Sequence, residues 1–399
     1  MPDIVTPTRS TGAASGMDAE TFEAFLDQLR RFVRDRLIPA EPEVIEKNRV
    51  PDEIIAEMRD FGLFALTTPE ELGGAAMSIS QYIRTVRELG KPSPAFRATM
   101  SINTGMFATA LKKGGTAEQQ AEWLGRSAEG QIACFGLTEP DSGSDAAGLK
   151  TRAVRDGDDY ILNGTKRYIT NAPLAKLGLI MARTNAEALP RNAHISAFLL
   201  DMDTPGVTIG SPDHKMGQRG ALIADVILED VRVPARNLLG LEEGRGFMAA
   251  MQALDSGRLS VGAAALGLAE RALEAGLRYA LERKAFGAPI ADFQLIQAML
   301  ADSRAEIYAS ECMMWDACAK SELGRASLEA SAFKMFATEM CGRVVDRVVQ
   351  IHGGAGYLAE YDAERFFRDA RIYRIYEGTT QIQQLVIAKQ MIRDFQSQG

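Results

Sequence analysis

The feature that most constrains this chain is that its apolar spacing changes twice. From Asp18, the residues Phe22, Phe25, Leu26, Leu29, Phe32 and Val33 recur at the interval of one buried helix face, with charges between them. Pro51 opens a second such stretch with Ile54, Ile55, Met58 and Phe61 on one side, and helix is expected again from Ile79 to Leu89 and around Trp123. Between about 132 and 233 the texture becomes short β-branched runs broken by turn residues: 132–138, an Asp156-Gly157 turn, 160–170, 177–183, 194–200 and 224–233. After Gly246 long helical patterns return, first through Leu266, Leu273, Leu277 and Leu281, then Ile296, Leu300, Ile307 and Met314, then Phe333, Phe336, Met340, Val344 and Val348. No long amphipathic helices separate the strands, so a small antiparallel, barrel-like sheet fits better than a doubly wound one. The expectation is a mainly α protein with a central β-domain. A disordered tail covers 1–17, a helical domain 18–131, the β-domain 132–242 and a helical bundle 243–399. One cofactor can sit where the three regions meet.

Composition narrows the chemistry. A formal net charge of −8 without clustered Lys or Arg argues against non-specific nucleic-acid binding. Cys134, Cys312, Cys318 and Cys341 have no CxxC spacing and no nearby histidines, so they read as buried thiols in a reducing compartment. His194, His214 and His352 are scattered, which disfavours a metal site or a Ser-His-Asp triad. The first residues lack an apolar segment and place one Arg beside Asp3, Asp18 and Glu20, so a cytoplasmic location is expected. No uncharged apolar run reaches membrane-spanning length, and the Asn163 sequon is then coincidental.

Chemistry must therefore lean on carboxylates or a cofactor, and four stretches are candidates. GLTEPDSGSDAAG, from Gly136 to Gly148, ends a predicted strand with small residues whose N–H groups can turn toward an anion; taken alone, such a stretch is more often a solvated surface loop. NGTKRYITNA, from Asn163 to Ala172, has a hairpin-type Asn-Gly followed by Tyr168 and Thr170 on one strand face, a wall for a flat ring or simply a half-buried tyrosine. QIHGGAGYL, from Gln350 to Leu358, superficially matches a dinucleotide fingerprint, but a helical pattern precedes it where a strand is needed. Its glycines are read as a helix end. In RIYRIYEGTTQIQQ, Glu377 stands among apolar neighbours before a helix. A desolvated carboxylate there is a general base with a raised pKa; otherwise it is a helix-start Glu held by the dipole.

Taken together, and with KMGQRG at 215–220, EDVRVP at 229–234, LDSGR at 254–258 and ERKAFG at 282–287, these segments resemble the acyl-CoA dehydrogenase family from about Asp18 to the C-terminus. The resemblance implies a C-terminal four-helix bundle, FAD between the β-domain and the bundle, a homotetramer built as a pair of dimers, and a place in fatty-acid β-oxidation. It implies that Phe135, Leu137, Thr138, Gly143, Ser144, Tyr168, Ile169 and Thr170 line the flavin, with Thr379 and Gln381 touching FAD. Arg283, Phe286, Gln294, Gln350, Gly353 and Gly354 would reach a cofactor held by a neighbouring subunit. Ser144, Asp255, Arg258 and Gly378 would contact the acyl-CoA, and 99–105 would line the acyl pocket. Tyr168 stands where relatives have Trp or Phe.

The implied reaction is α,β-dehydrogenation to a trans-2-enoyl-CoA with Glu377 as base and electrons passing to electron-transfer flavoprotein. Relatives that carry the base on the earlier helix place it where this chain has Gly257, which leaves Glu377 as the base, as in the short- and medium-chain enzymes. An acyl-CoA oxidase and a flavin monooxygenase of the same fold are the alternatives, and a catalytically silent scaffold is a third. Arg374 is read as a surface or interface residue, with a carboxylated acyl chain as its other possible partner.

Overall fold

A computed structural model describes residues 16–185, 194–324 and 326–397. The expected tail falls almost wholly outside them. At its end Met17 is held by Gln81, whose side-chain amide donates to the Met17 carbonyl at 2.7 Å.

Helices α1 (Ala19–Phe32), α2 (Glu41–Lys47), α3 (Asp52–Asp60), α4 (Ile79–Leu89), α5 (Pro94–Ile102), α6 (Ala108–Gly114) and α7 (Ala117–Ala128) form the N-terminal part. Their starts are written locally: Asp18 accepts the Thr21 N–H at 3.0 Å, and Ser78 with Gln81 and Thr116 with Gln119 form capping boxes on α4 and α7. Between α5 and α6 the chain widens into a wholly buried π-helical turn, Asn103–Phe107. That stretch is buried on nearly every side, so it carries no stripe from which its helices are legible.

The central sheet contains β1 (Ala133–Gly136), β2 (Arg152–Asp156), β3 (Asp159–Thr170), β4 (Leu177–Arg183), β5 (Ile195–Asp201), β6 (Val207–Ile209) and β7 (Ile223–Pro234). The order is β1-β4-β2-β3-β7-β6, with β5 also on β4. Most pairs are antiparallel as expected, but β4 runs parallel to β1 and, by one bridge, to β2. The 137–151 loop carries the chain away after β1, so β1 joins β4 instead of its neighbour in sequence. β2 was not legible because only Ala153 is buried in it.

The Asn163-Gly164 pair is not a hairpin turn. The turn lies between Asp156 and Asp159, and β3 continues through Asn163, where its pairing with β7 slips by a bulge. Gly164 has φ +151°, and a Cβ there would collide with Thr151, while the Asn163 amide exchanges hydrogen bonds of 2.9 and 3.0 Å with Asp230. Close backbone approach, not chain reversal, is what that glycine provides.

The C-terminal part comprises α8 (Gly246–Glu282), a two-residue hairpin of β8 (Lys284–Ala285) and β9 (Ala288–Pro289), α9 (Gln294–Glu322), α10 (Ser327–His352), α11 (Asp362–Ala370) and α12 (Thr380–Ser397). Helix α8 is the shared spine. Its start belongs to the cluster that joins α6, α7 and the sheet, and its middle to the core common to the N-terminal helices and the bundle. Small residues make this possible: a side chain at Gly262 would strike Phe333 of α10, and one at Gly267 would strike the Arg87 carbonyl at the end of α4. Cys134, Cys318 and Cys341 are buried, but Cys312 is exposed on α9, contrary to the expectation of four buried thiols. The outward face of a bundle helix tolerates any small residue, and composition does not reveal which face a cysteine occupies. No helix among the described residues is long and apolar enough to cross a membrane.

Candidate active site

Glu377 lies in the short connection between α11 and α12, half-buried, with φ +52°, followed by Gly378 at φ +90°. A non-glycine residue in the left-handed region is strained, and such strain persists only where surroundings enforce it. Here three contacts enforce it. Lys334 of α10, fully buried, donates to the Gly378 carbonyl at 2.7 Å, and the Gln383 amide donates to the Glu377 and Gly378 carbonyls at 3.2 and 3.1 Å. Thr380 adds a bond from its hydroxyl to Glu339 at 2.7 Å.

The carboxylate so placed has its Oε2 buried and without a hydrogen-bond partner. Desolvation pushes its pKa up, opposed by the positive charges of Arg97, Lys334 and Arg258. Burial likewise lowers the Lys334 pKa to about 8, against the attraction of Glu377. The Oε2 atom sits against the Cα of Gly257 on α8, where a methyl group would overlap it. The position that the resemblance marks as the alternative place for the base thus faces the same spot, and glycine there leaves the space to Glu377. With Glu377 as the candidate base, Gly257→Ala is expected to leave the fold intact and slow reduction of bound flavin by substrate at least tenfold, the cost of displacing such a group by about 1 Å.

One residue further on α8, Arg258 donates to Asp255 at 2.6 Å and to Ser331 at 3.3 Å. Arg97 and Lys334 were not singled out in the sequence. The available signal was a charge inside the otherwise apolar runs PAFRATM and SAFKMFA.

A second group of candidates converges on the sheet. The Arg167 N–H donates to the Thr138 carbonyl at 2.9 Å, and the buried Lys166 ammonium reaches Glu139 at 2.6 Å and the Leu137 carbonyl at 3.4 Å. Glu139 also accepts from Lys150 and Thr151 and pairs by backbone with Ser142, which closes the 138–144 loop. Beside this loop, β3 bulges, and Tyr168 adopts φ +59° with its ring 55% exposed, while Ile169 turns into the core. Phe135 and Leu137 are buried beneath; Gly143 and Ser144 are exposed. The loop of one motif and the aromatic ring of another therefore share one face.

Family models for the acyl-CoA dehydrogenase N-terminal, middle and C-terminal domains match residues 19–131, 134–231 and 244–392. The chain belongs to the acyl-CoA dehydrogenase family. It is 39% identical over 380 residues to human mitochondrial short-chain specific acyl-CoA dehydrogenase, covering 95% of this chain and 92% of that one. It is 40% identical over 353 residues to subunit CarC of the caffeyl-CoA reductase-Etf complex of Acetobacterium woodii, covering 88% and 92%. Butyryl-CoA dehydrogenase from Megasphaera elsdenii superimposes with a TM-score of 0.90 at 36% identity, over 94% of this chain and all of that one.

For a member of this family the remaining candidates lie far from Glu377. Arg283, Phe286, Gln294, Gln350, Gly353 and Gly354 are all exposed, Phe286 at 98%. They cluster because Tyr279 at the end of α8 stacks on His352 at the end of α10, ring centroids 4.2 Å apart. Gly353, at φ +58°, ends α10, as the helix-end reading of that motif required. Gly257 and Tyr279 are separated along α8 by roughly 33 Å, at about 1.5 Å per residue. Within one chain these residues cannot join the Glu377 group. Arg374 pairs with Glu339 at 3.2 Å and packs over Gly342 of α10, so it ties the Glu377 connection to the bundle and is not aimed at substrate.

Proposed function

We propose that this acyl-CoA dehydrogenase family member removes the α-proton of an acyl-CoA thioester with Glu377, forming a trans-2-enoyl-CoA with FAD as oxidant and electron-transfer flavoprotein as the next acceptor. The observation that carries the reading is the Glu377 carboxylate itself: strained into position, desolvated, its Oε2 unpartnered, with Gly257 making room. A thioester α-proton is weakly acidic, so its removal needs a base of raised pKa and donors where enolate charge develops. The Glu377 backbone N–H forms no hydrogen bond among the described residues, which suits it to the thioester carbonyl oxygen. Asp255 and Arg258, on the turn of α8 beside Glu377, are assigned to the CoA thioester arm, together with Gly378 and the exposed Ser144.

The residues present fit FAD. An exposed, strained Tyr168 ring lies next to the pinned Thr138 loop, and at Gly143, Gly353 and Gly354 open space stands where a Cβ would be. Tyr168 and Thr170, with the backbone of the inward-turned Ile169 between them, would flank the isoalloxazine, Thr138 and the 135–144 segment would hold its polar edge, and Thr379 and Gln381 would meet the same group from the start of α12. Bound FAD would supply the two-electron oxidant that takes hydride from the β-carbon. The exposed Arg283–Gly354 group suits the cofactor of a second copy, in line with a homotetramer. The Etf-complex relative supports the electron acceptor.

The test is anaerobic titration of the purified flavoprotein with acyl-CoA thioesters. Bleaching of the flavin band by a thioester, and its recovery on adding oxidised electron-transfer flavoprotein, is the expected result. A flavin that no thioester reduces would overturn the reading.

A further inference from the structure

We propose that the acyl chain of the substrate ends in a carboxylate and that Arg97 binds it. This rests on the dehydrogenase reading above and extends it to the class of acyl group. Three arginines among the described residues are buried: Arg97, Arg258 and Arg365. Arg365 is paired with Glu41 and Asp362, each at 2.9 Å, and Arg258 with Asp255 at 2.6 Å. Arg97, only 5% exposed, has no carboxylate within ion-pair distance. Its Nη2 donates to the Ser260 hydroxyl at 2.9 Å, the neutral Tyr376 hydroxyl also accepts from the guanidinium, and its Nε has no partner. A guanidinium buried without a counter-ion and with a free donor is costly, and a fold retains one where an anion arrives to complete it.

Its position identifies the anion. Ser260 stands one turn after Gly257 on α8, the residue against which the Glu377 carboxylate rests. The Tyr82 hydroxyl touches Ser260 at 3.4 Å and Thr104 at 3.3 Å, and it also faces Gly105. Arg97 therefore lies between the candidate base and the buried π-helical turn, which overlaps the 99–105 stretch that the resemblance assigns to the acyl pocket. Glu377 does not serve as its partner: no ion pair joins them, and each keeps an unpartnered polar atom. Three cations surround that one carboxylate, and only Arg258 brings an acid of its own, so the pocket holds a positive excess that a second anion would neutralise. The planar guanidinium fork matches a carboxylate better than any other terminal group of a short acyl chain. The reaction is otherwise unchanged: Glu377 would take the α-proton, bound FAD would supply the two-electron oxidant for the β-hydride, and the distal carboxylate would take no part in the bond changes.

The experiment compares kcat/KM of the FAD-loaded enzyme on thioesters matched in length, succinyl- with butyryl-CoA, glutaryl- with pentanoyl-CoA and adipyl- with hexanoyl-CoA. In the wild type at least one dicarboxylic member is expected to exceed its neutral match by on the order of 100-fold or more. Arg97→Met should erase that preference, lowering kcat/KM for the dicarboxylic substrate at least about 100-fold more than for its neutral match, both read at a pH where Glu377 is ionised in either enzyme, and Arg97→Lys should restore part of it. Isothermal titration of the same thioesters into holoenzyme carrying Glu377→Gln reads binding without turnover and should show the same order. A neutral chain preferred by the wild type in all three pairs, or both members of a pair falling equally in Arg97→Met, overturns the proposal and leaves the dehydrogenase reading standing. If no thioester of either kind reduces the flavin, that reading fails and this one with it. Should Arg97→Met fold poorly, the wild-type preference and Arg97→Lys still decide.

Discussion

Glu377→Gln is expected to lower the rate of flavin reduction by acyl-CoA by on the order of 10⁴-fold, the upper range for loss of a positioned general base, while FAD stays bound. Rapid-mixing anaerobic reduction, read at the flavin band, measures it. In the wild type the same rate should fall as pH is lowered through a midpoint above about 4.3, the value of a glutamate in water, because desolvation raises the Glu377 pKa and only the ionised form is a base. Arg97 and Lys334 hold that rise in check, so the midpoint should move further up in Arg97→Met.

Stability moves the other way. Below the unfolded-state value the carboxyl is protonated in both states and costs nothing. As pH rises through the elevated folded value, stability is lost, because the folded carboxylate must ionise in a desolvated place. At about pH 7, Glu377→Gln should therefore raise the melting temperature, as removal of a strained active-site charge commonly does. A lowered melting temperature together with slow reduction would mark Glu377 as structural.

The second large effect is expected at Glu139, which is not a reacting group. Burial alone would raise its pKa, but the Lys166 ammonium and the hydrogen bonds from Thr151 and Lys150 outweigh burial and hold it below the usual carboxylate range. Lys166 is fully buried, and desolvation lowers its pKa to about 8 even with Glu139 beside it. Glu139→Ala strands that ammonium in the sheet and should cost about 3–5 kcal/mol in denaturant unfolding, the range for breaking one partner of a buried pair. It also frees the 138–144 loop, so FAD should dissociate more readily, visible as flavin lost on gel filtration. Replacing both partners, Glu139→Met with Lys166→Met, should recover most of the unfolding free energy. Recovery of flavin retention is not expected, because the backbone bonds from Lys150 and Thr151 remain without their acceptor. If Glu139→Ala unfolds like the wild type, the pair is not what fixes the loop.

Much of this molecule was legible residue by residue. The starts of α1 after Asp18 and of α4 at Ile79 were legible, and the structure shows Asp18 and Ser78 capping them, because a cap is chosen by chemistry within three residues of it. Glu377, Tyr168 and the Gly136–Gly148 loop stood out as candidates because each has a local signal: a carboxylate among apolar residues, an aromatic ring beside a hydroxyl on one strand face, small residues after a strand. The Asn163-Gly164 pair misled because asparagine and glycine favour tight turns and bulges alike, and the choice depends on the strand across the sheet. The α5–α6 segment was silent because burial on all sides leaves no periodicity to read.

By itself the sequence determined the alternation of helical, β and helical regions and singled out Glu377 as the candidate base, both of them properties of spacing and residue type. Only the tertiary structure decided which charges surround that carboxylate. Arg97, Arg258 and Lys334 come from three different helices, and Gly257 is 120 residues before Glu377 by subtraction of their numbers. It also decided that the cofactor candidates fall into two groups at opposite ends of α8. Partners across a core are set by how helices pack, and long-range packing leaves no local trace in the chain.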